Sequence, residues 1–398
     1  MPRQCSKSWV DTYTQYTKHQ EASIKFHTWI ALYTIASTVG RNIYIDRKLW
    51  KIFPNLYVAI IGPTGDGKTT AADIGVLRIL RSIPDVEIII EKATSYYLLE
   101  LMHQLTTKKG ECCCNLYAPE MKSFIGDLNK TELVTFLTSM YTCPDAPEYR
   151  TKQQLQKGGI YKFKNVCINL LACSTPEWLT TGTTTDDISG GFTGRFVYIY
   201  EDSITRHSPF PEDLITQATL DLEKDLIADL NHIKTLKGQF IITDQAKAEY
   251  ILWYMDRQKE CKDERLKGYF SRKRDLVFKV AMLISLSEDD SLVIDEDTLK
   301  QTWKLLADTE TKMATAFSGV TDDPSMKYKD SVLSQIARAP AQQITRSDML
   351  RKNWNRFDGM VLDRIITNLV DMKVIQMGSK VTIRGKDALY RLIDTGVI

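Results

Sequence analysis

Eight consecutive residues, Gly62-Pro63-Thr64-Gly65-Asp66-Gly67-Lys68-Thr69, fit the spacing G-x-x-x-x-G-K-[ST]. That spacing suits one chemistry, the holding of a nucleoside triphosphate by its phosphates. Glycines let backbone N–H groups turn inward onto phosphate oxygens, and a helix that starts directly afterwards adds the partial positive charge of its N-terminus. The Lys68 ammonium then reaches the β- and γ-phosphates, the Thr69 hydroxyl binds Mg²⁺, and Thr70 continues the first helical turn beside the phosphates. A match this short is decided by its context. Residues 55–61 are apolar and β-branched, which predicts a buried strand, and from Thr69 through Leu77 and Leu80 the spacing is helical. Strand, glycine loop and helix come in the order the chemistry needs, which argues against a chance glycine-rich turn. ATP with Mg²⁺ is the implied ligand pair.

Hydrolysis asks for more than phosphate binding. A carboxylate must orient water at the γ-phosphate, a polar residue must sense that phosphate, and a cation must stabilise the charge that develops. Glu120 follows the apolar run 112–118 and stands where such a carboxylate belongs, with a share in the metal site. Pro119 occupies the position where an aspartate commonly assists the metal, so metal binding falls to Thr69, Glu120, phosphates and water. The competing role for Glu120 is a helix cap. Thr175, or Ser174, ends the next apolar run and is the candidate sensor; a Ser-Thr-Pro turn is the plainer reading. Arg195 precedes the last apolar run and is the candidate transition-state cation, reaching a neighbouring subunit's nucleotide. Arg272 and Arg274 precede an apolar helix over 275–287, and Arg274 is the candidate lid-side cation. For each arginine, surface salt bridging is the alternative. Between residues 145 and 164, Lys152, Lys157, Lys162 and Lys164 outnumber the acids. Gly158-Gly159 could turn a hairpin there that carries the lysines to a nucleic-acid backbone; a solvated basic loop is the bland alternative.

These side chains need a scaffold. Strands are predicted over 55–61, 86–90, 112–118, 166–173 and 196–200, separated by helices or loops. Five such apolar runs predict a parallel α/β sheet covered on both faces, with ligands at the strands' C-terminal ends. Residues 8–39 have helical spacing throughout, with Gly40 as terminator. Their aromatic stripe of Trp9, Tyr13, Tyr16, Phe26 and Tyr33 reads as core. Helices are expected from Asp244 past Trp253, over 275–287 and over 295–317. After a linker at 319–324 come three short helices and two apolar runs, 374–377 and 380–383, flanking Gly378-Ser379. Together these predict a winged helix with its hairpin turn at Gly378-Ser379.

Composition sets the outer limits. The chain has 398 residues, 43% apolar and 26% charged, enough for two or three globular domains. No apolar run is long enough to span a bilayer and no signal-peptide core follows Met1, so a cytoplasmic protein without membrane attachment is expected. The eight cysteines form no C-x-x-C pair, and Cys112-Cys113-Cys114 reads as part of a buried strand. Residues 326–398 hold 13 Lys and Arg against 7 Asp and Glu, while the rest holds 39 against 43. A basic tail on a near-neutral ATPase suggests an anionic partner, with nucleic acid the first candidate.

Taken together, the runs 26–32 and 35–41, the approach to the P-loop at 55–57, Ala118-Pro119-Glu120, Gly190-Gly191-Phe192 and Arg195-Phe196 resemble the phage and plasmid helicases associated with primases. The resemblance spans about residues 8–320. More distantly the chain is similar to AAA+ ATPases of the mini-chromosome maintenance type. The resemblance implies an N-terminal helical region (1–50), a P-loop AAA+ core (51–205), a helical lid (206–320) and a C-terminal winged helix (326–398). It implies that Thr175 senses nucleotide, Arg195 acts in trans, Arg274 acts from the lid helix, and a hairpin at 149–164 grips DNA in a pore. The implied activity is that of a replicative DNA helicase, a ring of about six subunits moving on single-stranded DNA in a bacterial host, with any primase a separate protein. Two other readings stay open: an AAA+ initiator or loader that uses ATP as an assembly switch, and a winged-helix regulator whose ATPase gates DNA affinity.

Overall fold

The computed structural model describes residues 3–90, 95–125, 130–149, 160–182, 191–203, 206–256, 261, 263–317, 328–382 and 385–393. The chain divides into two compact units, Met1–Phe317 and Ser318–Ile398. Among the described residues no helix is long and apolar enough to cross a membrane.

The first unit is built on five strands: β1 (Tyr57–Ile61), β2 (Ile88–Ile90), β3 (Cys112–Ala118), β4 (Val166–Ser174) and β5 (Phe196–Tyr200). All neighbours pair in parallel, in the order β2-β3-β4-β1-β5. The α/β class and parallel sheet expected from the apolar runs are therefore present. Both β1 and β4 are buried at every position, as continuous apolar strands covered on two faces should be. Because β4 inserts between β1 and β3, the C-terminal ends of all three lie side by side. Register is marked by a buried polar pair: Asn115 of β3 stands opposite Asn169 of β4, and Asn169 Nδ2 donates to Asn115 Oδ1 at 3.0 Å. Asn169 Oδ1 accepts from the Leu56 N–H at 2.8 Å.

The N-terminal segment forms two helices rather than one, α1 (Trp9–Tyr16) and α2 (Ile24–Val39). Apolar spacing alone hid the break, which is set by caps: the Thr17 N–H closes α1, and the Ser23 hydroxyl accepts from the Lys25 N–H to open α2. Thirteen of the sixteen residues of α2 are buried, so this helix is a core element, and Trp9, Tyr13, Phe26 and Tyr33 pack inside as expected. After β1 the chain enters α3 (Lys68–Asp73), which widens to a π-helical turn at Ile74–Ile79 and tightens at Leu80–Ser82. Helices α4 (Ser95–Lys109) and α5 (Lys130–Met140) follow β2 and β3. Cys112 and Cys114 are buried on β3, and all eight cysteines are free thiols.

Beyond β5 lie α6 (Gln217–Ile233), α7 (Asp244–Asp256), α8 (Lys267–Glu288) and α9 (Glu296–Glu310). Helix α8 starts eight residues before its expected start at 275, so Arg272 and Arg274 lie inside it. Its first turns look too polar for a buried helix but bury Tyr269 and Lys273, whose Oη and Nζ reach Glu310 at 2.9 and 2.8 Å. The expected helix at 295–317 ends at Glu310, followed by a short 3-10 turn at Met313–Phe317.

The second unit contains α10 (Lys329–Ala337), β6 (Gln343–Thr345), α11 (Arg346–Lys352), α12 (Gly359–Asp371), β7 (Ile375–Thr382) and β8 (Gly385–Leu392). The strands form an antiparallel sheet in the order β6-β8-β7. Gly378-Ser379 is not a turn: both residues sit inside β7, paired with Leu389 and Ala388, and the pairing continues to Thr382 opposite Gly385. A Gly-Ser step marks a turn only where the backbone leaves the extended region, and Gly378 stays in the ladder. Strand β6 is an addition that the sequence reading lacked. Val332, Ile336, Met349, Leu362, Ile365, Leu369 and Tyr390 form the core of this unit.

Candidate nucleotide site

The loop between β1 and α3 has the backbone its glycines suggest. Gly65 and Gly67 have φ of +91° and +74°, conformations that residues bearing a Cβ rarely adopt. A Cβ at Gly62 would fall 1.7 Å from Asp66 Oδ2. Lys68 opens the helix and is 8% exposed. Its Nζ donates to the Pro63 carbonyl at 2.7 Å and to Asp66 Oδ1 at 3.1 Å. Asp66 Oδ1 also accepts from the Lys68 backbone N–H at 3.1 Å, while Oδ2 is buried with no hydrogen-bond partner among the described residues.

Strand order brings the other candidates to this loop. A cleft of about 510 Å³ is lined by Thr64, Lys68 and Thr69 from the loop, Pro119 and Glu120 after β3, and Ser174 and Thr175 at the end of β4. Its volume is in the range of small-ligand sites. Burial pushes the Cys173 thiol up to about 12, so the sulfur in the cleft wall is neutral at physiological pH. Glu120 keeps its side chain exposed, and its carbonyl accepts the Phe124 N–H at 3.1 Å, so its backbone starts the short helix Met121–Ile125 while its carboxylate is left to the cleft. Thr175 likewise starts the helix Pro176–Gly182 through its carbonyl. Thr70 is exposed and does not line the cleft.

The residues fit a triphosphate and its metal. The glycine conformations leave the loop free of side chains where phosphates would approach, and the Thr69 hydroxyl and Glu120 carboxylate are the hard oxygen donors that suit Mg²⁺, which keeps waters and phosphate oxygens as its other ligands. Three lining residues escaped the sequence reading: Lys122, Glu177 and Trp178. Their signal was position alone, since each lies four or five residues beyond a predicted strand end.

Arg195 and Arg274 are not in this cleft. Phe196 pairs with Tyr57 at the start of β1, whereas the glycine loop follows Ile61 at its end. At roughly 3.3 Å per residue, the five-residue strand separates Arg195 from its own loop by about 17 Å. The Arg195 guanidinium hydrogen-bonds the Gly191 carbonyl and lies 5.7 Å from the centre of the Tyr141 ring. Arg272 lies beside it: a Cβ on Gly191 would sit 3.0 Å from Arg195 Nη1 and 3.9 Å from Arg272 Nη2. Burial, and then the Arg272 charge, holds the Arg195 pKa below its ordinary value. Among the described residues no carboxylate pairs with either arginine. Arg274 is half exposed, with its Nε 3.9 Å from Asp275.

The expected basic hairpin has its two strands, Glu148–Tyr149 antiparallel to Tyr161–Lys162. Lys162 and Lys164 are exposed, and Lys162 Nζ is 3.7 Å from Glu148. Lys152, Lys157 and the Gly158-Gly159 turn lie outside the described residues.

No model of a known protein family matches the chain, and no curated protein matches it either.

Proposed function

We propose that this protein is an ATP-driven DNA helicase of the ring-forming AAA+ kind, acting in replication on single-stranded DNA. The observation that carries the ATPase part is the single cleft shared by Lys68, Thr69, Glu120 and Thr175 at three adjacent strand ends. In this reading Lys68 leaves Asp66 for the β- and γ-phosphates, and Thr69 with Glu120 would hold Mg²⁺, which would supply neutralisation of phosphate charge. Glu120 orients a water and takes its proton as the water oxygen bonds to the γ-phosphorus. The bond to the β–γ bridging oxygen breaks, leaving ADP and inorganic phosphate. Thr175 hydrogen-bonds the γ-phosphate before cleavage and loses that partner afterwards.

The placement of Arg195 at the N-terminal end of the strands, opposite the end that carries the glycine loop, supports a role on a second subunit's nucleotide, and hence a ring, most simply of six copies. The basic hairpin and the basic C-terminal unit support a nucleic-acid partner. The test is strand displacement. With ATP and Mg²⁺, the protein should separate a forked duplex, and Lys68→Ala should not. DNA-stimulated ATP hydrolysis without displacement would replace this reading by that of a loader or initiator that uses ATP as a switch.

A further inference from the structure

Residues 351–356 of the second unit read Arg-Lys-Asn-Trp-Asn-Arg and span the end of α11 and the turn that follows it. Trp354 at its tip is 81% exposed, and no hydrogen bond or ring contact holds its side chain among the described residues. The turn beneath it is fixed. Asn353 is buried; its Nδ2 donates to Gln335 Oε1 at 2.9 Å and to the Met349 carbonyl at 2.8 Å, and its Oδ1 accepts from Gln335 Nε2 at 3.0 Å. The Asn353 carbonyl then accepts the N–H groups of Arg356 and Phe357 at 2.9 and 3.3 Å, and the Phe357 ring is buried in the core. A large aromatic side chain is thus presented to solvent from a backbone pinned on both sides. Tryptophan is enriched where proteins meet partners, because it offers a large apolar face and a polar N–H.

The charges around Trp354 select the partner. Arg351 and Lys352 at the end of α11 and Arg356 in the turn flank Trp354, and the segment 351–356 has no carboxylate. Arg351 is 3.2 Å from Asp348. Arg356 touches the Ser331 hydroxyl at 3.3 Å, with its guanidinium over the Tyr328 ring. Neither Arg356 nor Lys352 has a carboxylate partner among the described residues. Cations at the end of α11 also suit its helix dipole, which accounts for Arg351 and Lys352 but not for the tryptophan. Helix α12, which a helix-turn-helix would insert into a duplex groove, is poorly charged for that task. Its exposed face carries Asp363 and Asp371 beside Arg364, its N-cap is Asp358, and Arg346 is held in a bidentate pair on Asp363 at 2.8 Å. An aromatic face reads unstacked bases, and unstacked bases belong to single strands.

We propose that the 351–356 turn is a single-stranded nucleic-acid site, with Trp354 stacking on a base and Lys352 and Arg356 contacting the flanking phosphates. This goes beyond the helicase reading and does not rest on it. The experiment measures the affinity of the full-length protein for a fluorescent 30-nucleotide oligo(dT) without ATP. Stacking is worth about 1–3 kcal/mol per base, so Trp354→Ala should weaken binding about 5- to 150-fold, and Trp354→Phe should restore most of it. Lys352→Gln should lower the slope of log affinity against log salt by about 0.7. Because the Trp354 side chain is outside the core, the thermal midpoint and basal ATPase of both Trp354 variants should match wild type. Unchanged oligo(dT) affinity in Trp354→Ala, or failure of Trp354→Phe to rescue it, overturns the proposal; the first result points to a protein partner at this turn. A protein that binds oligo(dT) through Trp354 but separates no fork would overturn the helicase reading alone.

Discussion

The Lys68 ammonium is paired within its own loop, its Nζ 3.1 Å from Asp66 Oδ1. Lys68 must give up this partner to reach a phosphate, and the Asp66 charge opposes the incoming triphosphate. Asp66→Asn keeps the shape and the Oδ1 acceptor while removing the charge. It should bind ATP more tightly, with Kd lower by about tenfold, or about 1.4 kcal/mol, as read by titration with a fluorescent ATP analogue. An unchanged or higher Kd would mean that Asp66 helps to hold the loop in its binding shape.

Glu120→Gln separates catalysis from capping. The Glu120 backbone opens the short helix that follows, and the substitution preserves that. Losing the carboxylate should slow hydrolysis by about 10²-fold or more with ATP still bound. Single-turnover hydrolysis measured on assembled protein is the check, and near-normal turnover would remove Glu120 from the chemistry.

Arg195 sits about 17 Å of strand away from its own loop by the usual strand rise, which makes mixing informative. Arg195→Ala and Lys68→Ala should each bind to the other and be nearly inactive alone. Together they should regain part of the ATPase activity, at interfaces that combine an intact loop with an intact arginine. A finger arginine is worth about 10³–10⁵ in rate where it operates. Wild-type hydrolysis by Arg195→Ala alone would reject the role.

His27 predicts an acid-sensitive fold. It is buried in α2, its ring 6.2 Å from that of Tyr13, and neither ring nitrogen has a partner among the described residues. Burial, and then the Arg206 charge, pushes its pKa down from 6.5 to about 3. Above 6.5 the ring is neutral in both folded and unfolded chains and makes no difference. Below it the unfolded chain takes up the proton and the folded chain does not until about pH 3. Stability is therefore lost as pH falls through that window, with a slope approaching about 1.4 kcal/mol per pH unit. His27→Leu should lose less stability between pH 6.5 and 4 than wild type, measured by urea midpoints. Parallel curves would show that His27 is protonated in the fold.

Much of the first unit was legible because its strands are continuous apolar runs. Glu120 and Thr175 could be found by counting to the ends of β3 and β4, and the glycine spacing located the loop. Polar burial was harder to read. Tyr269 and Lys273 meet Glu310 from 37 or more residues away in sequence, so the start of α8 looked like a surface segment. The Asp66–Lys68 pair was hidden because spacing gives the order of residues but not which way a carboxylate turns. Gly378-Ser379 misled for the opposite reason, since a local signal for turning was overruled by pairing with β8. Trp354 carried no signal at all, because a lone tryptophan between two helices reads as core until its exposure is known.

The paired asparagines Asn115 and Asn169 bear on how the sheet assembles. Strands β3 and β4 consist largely of interchangeable apolar residues, so sliding one past the other would leave greasy contacts much as they were. Sliding by one or two residues would strand two amides in a dry interior, at a cost of about 1–3 kcal/mol for each orphaned group. The pair thus acts as an alignment key. Replacing both asparagines with leucine should leave β3 and β4 paired but free to settle in more than one frame. Glu120 and Thr175 would then meet the glycine loop in only a fraction of the molecules.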